Sequence, residues 1–232
     1  MNRLNTKATM SYTVEITSIE KVTHDVKRFR FKKPDGYSFT PGQATEVSIN
    51  KEDWKDEKRP FTFTSLNEDP YLEFTIKIYD DHNGVTNQIG KLEVGDEFII
   101  DDPWGTIQYK DAGVFLAGGA GVTPFIAIFR DLHKKGEIDG NRLLFSNKTA
   151  KDVILQDEFE EILGNNFQSV LTDQDAEGHI FLDGFIDKDF LADQIDDFDQ
   201  PFYVCGPMKF NENMMKYLKE LGANPESLVF EE

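Results

Sequence analysis

The chain has 232 residues, 39% of them hydrophobic and 29% charged, with a formal net charge of −18. That length allows one large domain or two small ones, and the composition excludes the disordered and collagen-like classes. The acidity argues against sequence-independent binding to nucleic acid or to an anionic membrane, both of which need a surplus of Lys and Arg, and the one cysteine, Cys205, can neither close an internal disulfide nor supply an iron-sulfur cluster.

Residues 1–12 hold no apolar run of the length a secretory signal needs, so the expected address is the cytoplasm. From there to residue 110, short β-branched and aromatic segments recur between turn signals. These are 12–18, 26–31, 45–49, 61–65, 71–79 and 97–101, and they predict an antiparallel barrel or sandwich. Beyond residue 110, strands predicted at 114–117, 142–146, 169–172, 202–205 and 227–230 alternate with helices near 124–135, 155–163, 188–194 and 208–221, the order of a parallel α/β sheet with helical crossovers. The charge divides at the same place. Residues 1–110 carry 15 basic and 19 acidic side chains, whereas 111–232 carry 10 and 24. The expectation is therefore two domains, 1–110 and 111–232. The apolar stretch 113–129 is not read as a membrane span, because Gly118, Gly119, Gly121 and Pro124 interrupt it.

Val114–Ala117 runs into Gly118-Gly119-Ala120-Gly121-Val122-Thr123-Pro124, and a helical pattern follows at once. Strand, glycine turn and helix bring free backbone N–H groups and the helix dipole to one point, the arrangement that holds a phosphate. Proline stands where the usual dinucleotide fingerprint has its third glycine, and no Walker Lys-Ser/Thr pair follows, so a merely tight turn stays open as the alternative. The stretch 173–178 imitates the start of a calcium loop, yet Gly184 occupies the position that needs a bidentate Glu. His24, His82, His133 and His179 show no ligand spacing, so no metal is expected. In the β half, Arg59-Pro60-Phe61-Thr62-Phe63-Thr64-Ser65 combines a guanidinium, aromatic rings and hydroxyls, a set suited to flavin phosphate, to stacking and to the reactive ring nitrogen, with an ordinary strand that begins with an Arg as the open alternative.

That segment resembles the Arg-x-Tyr-Ser/Thr signature of the ferredoxin-NADP reductase family. Further marks of the family follow in order: Pro41-Gly42-Gln43, Gly84-Val85-Thr86, Pro103-Trp104-Gly105, Gly119 to Pro124, and Cys205-Gly206-Pro207-Met208. The resemblance implies a six-stranded flavin barrel followed by a five-stranded nucleotide domain, with hydride transfer from nicotinamide to flavin at their seam and then release of electrons one at a time. It assigns Arg59, Pro60, Phe61, Thr62, Ser65, Gly84, Val85 and Thr86 to the flavin. Gly119, Gly121, Thr123, Pro124, Ser146, Asp173, Cys205, Gly206 and Pro207 go to the nicotinamide nucleotide, and Thr62, Cys205 and Glu231 to the reaction itself. Two departures stand out. Phe61 replaces the usual Tyr, which keeps the stacking ring and loses a hydroxyl, and the chain stops one residue short of the aromatic that often ends the family, so that either the site lacks that ring, Phe230 substitutes for it, or the sequence is cut before it.

The implied cofactor is FAD, with FMN as the alternative. Asp173 stands where NADP users often place Arg, and a carboxylate repels a 2'-phosphate, which favours NADH over NADPH, although Ser146 and Lys148 leave the other choice open. The implied partner is an electron-carrier protein: ferredoxin, flavodoxin or an oxygenase component. A basic cluster at Lys27, Arg28, Arg30, Lys32 and Lys33 is either the candidate docking face for it or a solvated strand and turn with no partner. Reduction of free flavin, quinone or ferric complexes, and a non-catalytic binding module, are the competing functions.

Overall fold

Period-two patterning builds the first half of the molecule. In the computed structural model, which describes residues 10–81, 83–105, 107–173 and 181–230, the strands are β1 (Ser11–Lys21), β2 (Val26–Lys32), β3 (Ala44–Ile49), β4 (Arg59–Thr62), β5 (Tyr71–Lys77) and β6 (Glu97–Asp101). They pair antiparallel in the order β4-β3-β6-β1-β2-β5. Just past β4, Phe63 bridges to Phe74 on β5 and Thr64 N donates to Glu73 O at 2.9 Å, which joins the two ends of the sheet into a near-barrel. The interior is aromatic: Phe29, Phe31, Phe63, Phe74 and Phe98 are all fully buried. Phe74 meets the rings of Phe31, Phe63 and Phe98, mostly tilted or edge-on, as ring quadrupoles prefer. A five-residue helix, α1 (Val85–Ile89), lies between β5 and β6. It was not expected, because five residues are too few to display a 3.6-residue period.

The second half is a parallel sheet. Its strands are β7 (Val114–Gly118), β8 (Arg142–Asn147), β9 (Phe167–Leu171), β10 (Phe181–Asp183), β11 (Phe202–Cys205) and β12 (Leu228–Phe230), in the order β10-β9-β8-β7-β11-β12. This corrects the expectation of five strands. The additional edge strand, β10, is only three residues long, too short for any periodicity to announce it. On one face, α2 (Thr123–Lys135) and α3 (Gln156–Leu163) bury Phe125, Phe129 and Phe159. On the other, α4 (Lys188–Gln194) and α5 (Met208–Glu220) bury Leu191, Met214 and Leu218. Helix α2 has Pro124 in its first turn, where no N–H is needed, and ends at Gly136 in the left-handed conformation after His133, Lys134 and Lys135.

The two halves share apolar packing. Val26 and Ile107 join the cluster built around Ile128 and Phe129 of α2. Tyr203 fastens the connecting chain, its hydroxyl accepting from Lys110 N (2.8 Å) and Asp111 N (3.1 Å) and donating to Asp111 O (2.8 Å). Among the described residues no helix is long and apolar enough to cross a membrane.

Candidate functional site

In an open α/β sheet the ligand crevice lies outside the carboxyl ends of the strands, where the order reverses. Here the reversal falls between β7 and β11, and the loops leaving them, Gly119–Val122 and Cys205–Pro207, flank a cleft of about 680 Å³. Pro60, Phe61, Thr62, Thr75, Lys77, Thr86 and Trp104 wall it from the barrel side. Gly121, Thr123, Pro124, Cys205, Gly206, Asn211 and Phe230 wall it from the parallel-sheet side.

Gly119 has φ +52°, and a Cβ on Gly121 would stand 2.3 Å from the carbonyl oxygen of Cys205. Two turns thus approach each other more closely than any side chain permits. Thr123 Oγ1 donates to Ala120 O at 3.0 Å and holds the turn shut. Ser146 lies beside Gly118 in the sheet, at the end of β8. Past the end of β9, Asp173 is exposed, its backbone N–H donates to Lys148 O at 2.9 Å and its carboxylate accepts from the Thr172 hydroxyl at 3.0 Å.

Not every expected residue reaches the cleft wall. Ser65 is buried and its hydroxyl accepts from Glu73 N at 3.1 Å, so it braces the barrel seam instead. Val85 packs into the barrel core while Thr86, its neighbour, lines the cleft. Gly84 precedes α1 in extended conformation, and Pro207 precedes α5. Arg59 is exposed, its guanidinium donating to Lys58 O at 2.6 Å and lying 3.9 Å from Glu57. Glu231 lies outside the described residues, as do His82, His179 and most of the stretch that imitates a calcium loop.

Sequence reasoning missed Thr75, Lys77 and Tyr79 at the end of β5, and Asn211, Glu212 and Met215 on α5. The three-to-four spacing of Asn211, Glu212 and Met215 was the available signal, since those positions share one helix face. It is indistinguishable from an ordinary amphipathic stripe until the fold shows what the face meets. Asn211 Oδ1 is buried with no hydrogen-bond partner, and a buried acceptor left unmet is costly unless a ligand supplies the donor. The close-approach turn, the unmet acceptor and the aromatic wall together fit a flavin and a nicotinamide dinucleotide.

The basic cluster is already committed within the molecule. Lys27 Nζ donates to Gly90 O (2.6 Å), Arg28 pairs with Glu20 (2.6 Å), Arg30 with Glu73 (2.9 Å), Lys32 with Glu15 (2.5 Å), and Lys33 donates to Asn67 O. Each cation has an internal partner, a carboxylate for Arg28, Arg30 and Lys32 and a neutral carbonyl for Lys27 and Lys33, so the cluster's charge is compensated only in part. Lys32→Glu is expected to change reduction of any acidic carrier by less than about twofold, in line with the small worth of exposed pairs; steady-state assays over a salt series measure it.

Behind the cleft sits a buried ion cluster. Glu73 on β5 is 1% exposed. Its carboxylate receives Arg130 Nη1 at 2.7 Å, Arg30 Nε at 2.9 Å and the Thr64 hydroxyl at 2.9 Å. Burial opposes its ionisation, but Arg130, Arg30 and Thr64 outweigh burial and hold the carboxyl below the ordinary glutamate range. For Arg130, burial again opposes the charge, and Glu158 and Glu73 overcome it, so the guanidinium is held even more firmly protonated than usual.

Residues 13–109 match the oxidoreductase FAD-binding domain and residues 115–217 the oxidoreductase NAD-binding domain. The chain is similar to NADH-cytochrome b5 reductase 2-A of Vanderwaltozyma polyspora, 31% identical over 217 residues that cover 84% of this chain and 71% of that one. It is also similar to the reductase component of propane 2-monooxygenase from Mycolicibacterium goodii, 26% identical over 93% of this chain but spanning 65% of that protein's length. In fold it resembles the flavohem-like FAD/NAD binding domain of nitric oxide dioxygenase from Vibrio cholerae, with TM-score 0.83, 22% identity and coverage of 94% and 97% of the two chains. The ferredoxin NADP+ reductase of Neisseria gonorrhoeae gives TM-score 0.81 at 19% identity, with 95% and 98% covered. With both domain matches in place on either side of the one cleft, the chain belongs to the ferredoxin-NADP reductase family and is an NAD(P)H-dependent flavoprotein reductase.

Proposed function

We propose that this protein passes electrons from NADH through FAD to an electron-carrier protein: a ferredoxin, a flavodoxin or the partner component of an oxygenase. The observation that carries the reading is the cleft itself, where Phe61 and Thr62 on one wall share a space with Gly121, Thr123 and Cys205 on the other. FAD, when bound, supplies the step between a two-electron hydride donor and one-electron acceptors. In this reading residues 1–110 hold the flavin and 111–232 the nicotinamide nucleotide.

The protein's own groups bind and orient. Arg59, exposed beside the cleft motif, is the cation for flavin phosphate, and Thr86 adds a hydroxyl. The Phe61 ring stacks on the isoalloxazine, and Thr62 hydrogen-bonds near its reactive nitrogen. Gly119, Gly121 and Thr123 form the dinucleotide turn, and Cys205 packs beside the nicotinamide. Phe230 adds an aromatic ring to the cleft wall.

NADH is the preferred donor in this reading because Asp173, at the end of β9, repels a 2'-phosphate and can accept from a ribose hydroxyl. Asp173→Arg is expected to improve NADPH use relative to NADH by about tenfold, because attraction between a guanidinium and the 2'-phosphate replaces repulsion by a carboxylate. The ratio of kcat/KM values for the two coenzymes measures it. Relatives named as reductases of cytochrome b5 and as oxygenase components support a protein acceptor. The internally paired basic cluster favours the second reading, reduction of free flavin, quinone or ferric complexes, because those acceptors need no charged docking face.

Anaerobic titration with NADH and then NADPH tests the core of the proposal. A flavin band that bleaches with about one equivalent of NADH is the expected result. A reconstituted protein whose flavin neither coenzyme bleaches would defeat it. Faster turnover with a carrier protein than with free flavin separates the two acceptor readings.

A further inference from the structure

We infer that Arg130 is a positioning residue for hydride transfer, setting the register of the nicotinamide-side wall of the cleft against the flavin-side wall. The inference rests on the reading that both rings meet in this cleft. Its basis is the position of one guanidinium. Helix α2 begins at Thr123 and Pro124, which line the cleft, and Arg130 follows seven residues later, about two helical turns down the same rigid element. There it leaves its own half of the molecule. Arg130 Nη1 donates both to Thr64 O (2.6 Å) and to Glu73 Oε1 (2.7 Å), the two residues whose backbones pair where the barrel closes.

Both barrel segments held in this way continue directly into the cleft. Thr62 lies two residues before Thr64, and Thr75 two residues after Glu73, and both line the cleft. The hydroxyls of Thr64 and Thr75 are 3.2 Å apart, and the Thr64 hydroxyl also donates to Glu73 Oε1 at 2.9 Å. The other edge of the guanidinium is fixed from behind by Glu158 of α3, at 2.5 Å to Nε and 2.9 Å to Nη2. A forked, bidentate cation is therefore locked on its own side and reaches across to both walls of the barrel seam.

Stability alone does not call for this arrangement. A buried ion pair is often no better than apolar residues of the same volume, and its best-attested use is to select one register among several packings. Hydride transfer is the kind of chemistry that reads register, since reacting atoms must approach to about 3–3.5 Å and a misplacement of about 1 Å costs on the order of a hundredfold. A second tie across this interface, Lys134 to Glu68, joins two well-exposed side chains and constrains little.

The test compares the native holoprotein with Arg130→Lys and with the apolar double variant Glu73→Leu/Arg130→Met, following flavin bleaching by NADH in an anaerobic stopped-flow instrument. The double variant is expected to keep its bound-flavin spectrum and an NADH half-saturation within about threefold, with a melting temperature lowered because Arg30 and Glu158 each lose a partner, while the limiting bleaching rate falls by at least about tenfold. Arg130→Lys keeps the charge but loses the fork, and is expected to lose about threefold or more of the limiting rate at unchanged flavin content. A double variant that is stable and bleaches at the native limiting rate overturns the inference. Should the double variant not fold, Arg130→Lys decides it, and an unchanged limiting rate there overturns it equally. Failure of the native protein to bleach would instead remove the underlying reading of the cleft.

Discussion

Gly121→Ala is expected to weaken NADH binding by on the order of a hundredfold while leaving flavin content unchanged. The added Cβ would lie 2.3 Å from Cys205 O, 2.5 Å from Cys205 C and 2.6 Å from Gly206 Cα, so every nearest atom is backbone and no side chain can turn aside. One of the two turns must therefore move. Both turns belong to the nicotinamide side of the cleft, and the flavin motif on β4 touches neither glycine in the sheet register. Titration of the oxidised variant with NAD+ and of the flavin band with NADH measures the effect. Native affinity for both would show that the turn relaxes freely and that its close approach has no role in binding.

Glu73→Ala is expected to cost about 3–5 kcal/mol of folding stability, because it strands Arg130 and Arg30 in a site built for their partner. Urea unfolding followed by fluorescence gives the number. The pH dependence has a definite sign. Glu73 is held below its ordinary value of 4.5 in the folded protein, so its contribution is fully present above that value and is lost as pH falls through the lower, folded value. Arg28, Arg30 and Arg130 face the carboxylate, and its negative charge holds the Arg30 and Arg130 guanidiniums even more firmly protonated than usual. Glu73→Gln should accordingly be less stable than native above the ordinary glutamate value of 4.5 and approach it as pH falls through the lower, folded value. A difference independent of pH would mean that packing rather than charge holds the seam.

These two sites divide sharply in how far the sequence announced them. The turn around Gly121 was legible because glycine spacing between an apolar run and a helical pattern is local information, carried by residues within one short stretch. The strand segments of the barrel and the alternation of the α/β half were legible for the same reason: burial and backbone conformation impose periods of 2 and 3.6 on neighbouring residues. Even there the sequence overreached. Ser65 and Val85 belong to expected motifs, yet one braces the seam and the other fills the core, because adjacent strand or turn residues point to different sides.

Tertiary structure decided the rest. Nothing near Glu73 or Arg130 in sequence says that residues 57 positions apart meet in a buried pair. The basic run around β2 reads as unpaired charge until pairing with β1 and β5 brings Glu15, Glu20 and Glu73 against three of its cations. Asn211, Thr75 and Phe230 became cleft residues only when α5, β5 and β12 were placed around the point where the parallel strand order reverses. Local sequence determines which elements form and which turns can bring two backbones close together. Which charges cancel, and which walls face one another, depends on long-range packing that no window of neighbouring residues contains.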